Sequence, residues 1–382
     1  MKTKPAASGN RRFDTASEVV AADLEHILTS AEEELEILAG KRVLITGGAG
    51  FLGYYLVGAL IECNARREPA RRTHITVLDN YARGVPAWLR LWEDRSHLTL
   101  VVHDIREPLP AGLDLADFIV HAAGFASPTF YRERPIETMD ANVGGLRLLL
   151  DRCLAEQERG HPIDGFLFFS SSEIYGDPAP EAIPTPETYR GNVSCTGPRA
   201  CYDESKRYGE TLCVNFARQH SLPVTIARPF NNYGPGLKIT DRRLIPDLAR
   251  DVLSRSDITL FSDGSATRTF CYSADAVVGY LKVLTRGRAG EPYNIGSEGP
   301  EISVAELAER VTAVARRRFD YRGSIVYAQS AEVDYLVDNP RRRCPAIEKA
   351  RTEFGFEPLV DLDEGLERSL VWYTGNPEGA EA

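Results

Sequence analysis

A short apolar run at residues 43–46 passes without a spacer into Gly47-Gly48-Ala49-Gly50-Phe51-Leu52-Gly53, and then into a segment of helical periodicity over 51–63. Three glycines at this spacing between a strand and a helix leave few folds open. Gly47 permits a tight turn, Gly50 lets the backbone approach a pyrophosphate, and Gly53 allows helix and strand to pack closely. The helix start offers unpaired N–H groups and the positive end of its dipole, which makes Gly50, Phe51, Leu52 and Gly53 candidate phosphate-binding positions. A glycine-rich turn can also be purely structural, so the rest of the chain has to decide.

The rest of the chain repeats the strand-then-helix rhythm. Apolar runs at 75–79, 98–103, 118–121, 166–170 and 224–228 read as strands, and helical periodicity fills 135–156 and 202–220. Such alternation predicts an α/β fold of the Rossmann type, a doubly wound parallel sheet covered on both faces. After Asn231 the rhythm breaks into shorter helices (243–254, 304–317, 346–354, 362–373) among Gly-, Asp- and Pro-containing loops. The expected organisation is therefore an N-terminal extension over 1–40, a dinucleotide-binding domain over 41–230 and a smaller, mainly substrate-binding lobe over 231–382, with some segments returning to the first domain. Within the extension, 1–15 is polar and expected to be disordered. Residues 17–38 carry Val20, Leu24, Ile27, Leu28, Leu35 and Leu38 at helical spacing before Gly40. That pattern predicts one amphipathic helix docked on the main body or on a partner subunit.

Composition narrows the function. A net charge of -10 argues against a nucleic-acid surface, and the arginine runs 316–318 and 341–343 are too short to reverse it. Seven dispersed cysteines without a C-x-x-C pair, and seven histidines without ligand spacing, point to reduced thiols and no metal site. With no apolar run long enough to span a bilayer and no signal-peptide core at the start, the expectation is a soluble cytoplasmic enzyme with no membrane partner.

The cofactor expectation rests on strand ends. Asp79 closes the second strand, where a carboxylate accepts hydrogen bonds from both ribose hydroxyls and repels a 2′-phosphate, favouring NAD over NADP. Arg83 nearby leaves that preference open. Asp104 and Ile105 follow the third strand and can meet the adenine edge. Ala122 and Ala123 follow the fourth, where small side chains let the backbone pass close to a ligand.

Tyr202 and Lys206 form Y-x-x-x-K, one helical turn apart on one face. A lysine ammonium there lowers the phenol pKa from about 10, so that the phenolate accepts a proton from a substrate hydroxyl. An exposed Tyr–Lys pair is also a common surface feature; this one follows Ser170-Ser171-Ser172-Glu173 at a strand end, where Ser171 can share the proton transfer.

Together GGAGFLG, Asp79-Asn80, the H-A-A segment, SSSEIYGD, GPRACYDESKR, ARPFNNYGPG and YNIG resemble the extended short-chain dehydrogenase/reductases that act on nucleotide sugars, over about residues 41–373. Within that group the pattern is most similar to the UDP-glucuronate decarboxylases. Dehydratases of the group carry an Asp where this chain has Ser172, and simple 4-epimerases usually lack the carboxylate that Glu173 provides. The segment from Ala126 to Tyr131 matches A-[ST]-P-x-x-Y of the decarboxylases. The resemblance implies NAD held by the strand-end residues together with Asn80, Asn142, Tyr202 and Lys206. It implies a UDP-glucuronate site formed by Ser127, Tyr131, Glu173, Asn231, Arg243 and Arg268, and catalysis by Tyr202, Lys206, Ser171 and Glu173. It also implies a homodimer or dimer of dimers paired through the helices at 135–156 and 202–220. Glu173 has a structural alternative, as a loop carboxylate bonded to backbone N–H groups. The chain departs from the pattern at Ala346, where an acid is common, and in its N-terminal helix. A 4-epimerase or 4,6-dehydratase using the same Tyr202 and NAD stays open as an alternative. So does a non-enzymatic protein that kept the fold, although its expected mark, a damaged Tyr–Lys–Ser set, is absent.

Overall fold

A parallel sheet organises the chain. The computed structural model describes residues 13–92, 95–110, 112–113, 116–330, 334 and 336–376; the expectation for 1–12 lies outside them. Among the described residues the main sheet has seven strands: β1 (Arg42–Thr46), β2 (His74–Asp79), β3 (Leu98–Val102), β4 (Phe118–His121), β5 (Gly165–Phe169), β6 (Val224–Pro229) and β7 (Pro292–Ile295). Their order is β7-β6-β5-β4-β1-β2-β3, and every neighbouring pair is parallel. Strand order reverses between β1 and β4, which opens a crevice at their carboxyl ends. All residues of β4 and β5 are buried, as strands covered on both faces require.

Side chains alternate between the two faces. Val43, Ile45, Leu167 and Phe169 join one cluster with Tyr55, Val57 and Leu281. Leu44, Phe166 and Phe168 join the other, with Leu146, Leu149 and Phe216. The first face is covered by Phe51–Ala65 and Ser273–Arg286, the second by Leu146–Glu158 and Ala200–His220. The last strand and the helix Ser273–Arg286 come from beyond residue 231, so the second half of the chain completes the sheet as well as facing it. The second half also builds a small sheet in which Thr267–Arg268 lies between Ile302–Ser303 and Arg342–Arg343, setting Arg343 beside Arg268.

Two helices differ from the sequence expectation. The predicted helix over 135–156 is α-helical at Pro135–Met139, a π-helical stretch at Asp140–Gly145 and α-helical again at Leu146–Glu158. Ile105 crowds Gly145, so that even a Cβ there would come within 2.9 Å of it, and the wider turn sits at this close approach. The predicted single N-terminal helix is two, Ala16–Ser30 and Glu32–Ile37. Ala31 breaks it with φ -121° and ψ 28°, and beyond the break Glu34 reaches Lys282 (3.3 Å) and Arg286 (3.0 Å).

The extension docks on the main body. Asp23 is fully buried; it accepts hydrogen bonds from the Tyr55 and Tyr272 hydroxyls, the latter at 2.6 Å, and pairs with Arg368 at 2.5 Å. His26 meets Asp275 at 2.7 Å. Burial pushes the Asp23 carboxyl pKa up while Arg368 and the two phenols oppose it. Removing one partner of a buried ion pair typically costs about 3–5 kcal/mol. Asp23→Ala is expected to lose stability on that order, read as a lower urea midpoint for the full chain. A loss under about 1 kcal/mol, the range of exposed pairs, would contradict the anchoring role.

Candidate active site

At the carboxyl edge of the sheet lies a cleft of about 930 Å³. Its floor is the glycine loop. A Cβ on Gly47 would lie 2.6 Å from the Ala123 backbone, and one on Gly53 would lie 2.0 Å from the Gly48 carbonyl oxygen. The loop therefore lies flat on the strand ends, with Gly47 at φ +70°. No side chain caps the helix Phe51–Ala65, which leaves its first N–H groups for an anion. Gly47, Gly50, Phe51, Leu52 and Gly53 all line the cleft, as do Asp79, Asn80, Asp104, Ile105, Ala122 and Ala123.

Asp79 accepts one hydrogen bond on each oxygen, from Ala49 N (3.1 Å) and Tyr81 N (2.8 Å). An ionised carboxylate has about four acceptor sites, so both oxygens keep capacity for ribose hydroxyls. Burial raises its pKa, and the two backbone N–H groups oppose that shift. Arg83 is engaged elsewhere: it pairs with Asp241 and lies over the Phe130 ring at 4.5 Å. Asp104 accepts from Arg106 Nε (2.9 Å) and Asn80 Nδ2 (3.1 Å), which hold its pKa well below the usual carboxylate range. These residues fit a dinucleotide.

Deeper in the cleft, β5 delivers Ser171 and Glu173, and the helix Ala200–His220 delivers Tyr202 and Lys206. The Ser171 hydroxyl accepts from Glu173 N at 3.2 Å and stands near enough to Tyr202 to draw its phenol pKa down. Lys206 Nζ donates to the Phe169 carbonyl at 2.8 Å and lies 5.7 Å from the centre of the Tyr202 ring. The expectation that Lys206 draws the phenol pKa down is corrected here. Burial pushes the Tyr202 phenol up to about 12, against the opposing influence of the Ser171 hydroxyl. Burial also pushes the Lys206 ammonium pKa down, to about 7.

Glu173 is held by two arginines. Arg343 Nη1 donates to Oε1 at 2.7 Å, and the Nη2 atoms of Arg343 and Arg199 both lie 2.5 Å from Oε2. Burial opposes ionisation, but the two guanidinium charges outweigh it and hold the carboxyl pKa below its usual range. The carboxylate is thus satisfied by guanidinium groups, not by the backbone N–H groups of the structural alternative. The sequence reading missed both arginines. Arg343 entered only as part of an arginine run too short to bind nucleic acid, yet it is 8% exposed, and Arg199 was only a letter in GPRACYDESKR. The available signal was the carboxylate itself, because a buried Glu173 demands a counter-charge.

The remaining expected substrate residues divide. Asn231, Arg243, Arg268 and Ser127 line the cleft. Asn231 donates to the Thr269 carbonyl (2.8 Å), Ser127 to the Asp241 carbonyl (2.7 Å), and Arg243 Nε lies 2.8 Å from Asp241 Oδ2. Arg268 donates to the carbonyls of Thr267 (2.7 Å) and Arg341 (3.1 Å), and burial followed by the Arg343 charge lowers its pKa to about 9.

Tyr131 and Asn142, both expected at ligand contacts, are buried and do not line the cleft. The Tyr131 ring is packed behind Tyr202, stacked at 4.9 Å and 11°. Asn142 is fully buried behind Gly124, whose Cβ would meet its Oδ1 at 2.5 Å, and its Nδ2 donates to Ser205 Oγ at 2.9 Å. Both support the site from behind.

Comparison with known proteins agrees with this geometry. Residues 43–296 match the model of the NAD dependent epimerase/dehydratase family. UDP-glucuronic acid decarboxylase 3 of Arabidopsis thaliana is 39% identical over 325 residues, 85% of this chain and 86% of that protein. UDP-glucuronic acid decarboxylase 1 of Xenopus tropicalis is 35% identical over 334 residues, 87% of this chain and 72% of that protein. Among solved structures, a dTDP-glucose 4,6-dehydratase from Streptomyces venezuelae with NAD bound superposes with a TM-score of 0.75 at 26% identity, covering 89% of this chain and 100% of that one.

Proposed function

Because the chain belongs to the NAD dependent epimerase/dehydratase family, we propose that it decarboxylates UDP-glucuronate to a UDP-pentose, UDP-xylose, through a 4-keto intermediate. The observation that carries this reading is the buried, ionised Glu173 beside Tyr202, with Ser172 where a dehydratase would place its acid. Arg343 and Arg268 beside it together exceed its one negative charge and make this wall of the cleft attractive to a substrate carboxylate and diphosphate.

NAD, when bound, supplies the hydride acceptor and a cationic ring whose charge favours the Tyr202 phenolate. Tyr202 takes the proton from the C4 hydroxyl as that carbon is oxidised to a ketone. Ser171, beside Tyr202, shares that proton and orients the hydroxyl. The C5 carboxylate is then β to a ketone. Its C–C bond breaks, CO₂ leaves, and the electron pair passes to the C4 oxygen as an enolate. Hydrogen bonds from Tyr202 and Ser171 stabilise that oxygen where negative charge develops. A proton is then taken up at C5, the ketone is reduced, and Tyr202 returns the first proton to the C4 oxygen. The cycle is redox-neutral and consumes one proton for each CO₂ released.

Removing the Tyr202 hydroxyl is expected to cost about a hundred- to ten-thousand-fold in every step, including transient NADH formation. Glu173→Gln is expected to keep the NADH transient while slowing CO₂ release. Stopped-flow absorbance beside a CO₂ assay with UDP-glucuronate reads both. Wild-type NADH formation in Tyr202→Phe would remove Tyr202 as the base, and equal losses of both signals in Glu173→Gln would leave Glu173 structural.

We also propose that the protein works as a homodimer or dimer of dimers paired through the helices at 135–158 and 200–220. Ile136 and Tyr208, apolar side chains on these helices, are 60% and 52% exposed, which supports an apolar contact there. Sedimentation at micromolar concentration is expected to give a dimer or larger; a strictly monomeric profile would rule this out.

A further inference from the structure

Arg199 stands just before the helix that carries Tyr202, and its main chain and side chain serve different catalytic groups. Its carbonyl accepts from Tyr202 N at 3.0 Å and Asp203 N at 3.1 Å, which starts the helix. Its side chain, 6% exposed, sends Nη2 to within 2.5 Å of Glu173 Oε2. The same guanidinium lies over the Tyr131 ring at 5.8 Å, and that ring stacks on Tyr202 at 4.9 Å. We propose that Arg199 is a positioning residue that fixes the Glu173 carboxylate relative to the Tyr202 hydroxyl, so that CO₂ release depends on it and C4 oxidation does not. This rests on the decarboxylase reading and on a role for Glu173 after the ketone has formed.

The two arginines on Glu173 are not equivalent. All three arginines line the cleft, but Arg343 arrives on the small sheet of the second half, with Arg268 paired beside it. Arg199 belongs to the element that positions the base. Its hold on Glu173 therefore stays in register with Tyr202 however Arg343 divides its charge between Glu173 and an entering anion.

The groups facing Glu173 set its response to pH. Arg199 and Arg343 favour its charge at closest range, and Arg268 lies further out. Asp203, one turn along the helix, has its Oδ2 3.9 Å from Arg199 Nε. Its pKa is raised by burial and by the Glu173 charge, with Asp338 adding to the shift, so it competes weakly for Arg199. Tyr131 and Tyr202 stay neutral, their phenols held well up by burial. Without the Arg199 charge the Glu173 pKa rises. Its ionised fraction then falls as pH falls, where the unmodified protein keeps it ionised.

The test uses the full chain with NAD and UDP-glucuronate, reading NADH formation and CO₂ release across the neutral and mildly acidic range. Arg199→Met is expected to keep NADH formation near the wild-type rate and to slow CO₂ release on the order of ten- to a hundredfold, the scale of a misplaced catalytic group. That slowing is expected to deepen as pH falls. Arg199→Lys, which keeps the charge and loses the fork, is expected to restore the pH profile while CO₂ release stays slower than wild type. Equal losses of both signals with an unchanged pH profile, or no change in either, would overturn the proposal. If Arg199→Met does not fold, the Lys variant decides, by a selective loss of CO₂ release or by equal losses. Absence of CO₂ from the unmodified protein is a separate failure, that of the decarboxylase reading itself.

Discussion

One buried carboxylate ties the molecule together. Taking a charge out of water costs several kcal/mol, and Glu173 offsets this only because two guanidinium groups converge on it. Each partner arrives on a different element. The end of β5 brings Glu173, the start of the Tyr202 helix brings Arg199, and the small sheet of the second half brings Arg343. The clamp therefore exists only when both halves of the chain have folded against each other. The same condition assembles the cleft, since its floor comes from the glycine loop and its far wall from the second half.

Burial does a second job in the same place. It pushes Tyr202 up and Lys206 down, because it disfavours the charged form of each. Left to itself the phenol stays protonated, so in the proposed cycle the base forms only when positive charge, such as the ammonium form of Lys206, acts on it.

Much of this was legible in the sequence because parallel strands covered on both faces must be continuous apolar runs. Residues 118–121 and 166–170 declared themselves in that way, and the glycine loop announced the turn between β1 and its helix. Asp79, Ser171, Tyr202 and Lys206 were found from their positions at strand ends and on one helix face. Depth was harder to read. Spacing put Tyr131 and Asn142 in the right neighbourhood but gave no way to tell a ligand contact from a residue packed one layer behind. Arg343 was hidden by composition, because an arginine triplet normally reads as a solvated face. The break at Ala31 was hidden because the contacts beyond it, from Glu34 to Lys282 and Arg286, span about 250 residues of sequence.

The account turns on what leaves the sugar once C4 is a ketone. The direct measurement is the mass of the products formed by the unmodified protein with NAD and UDP-glucuronate. The predicted result is a nucleotide sugar lighter than the substrate by one CO₂, with no net NADH at completion. A product of unchanged mass with C4 inverted would contradict the account and make the protein an epimerase.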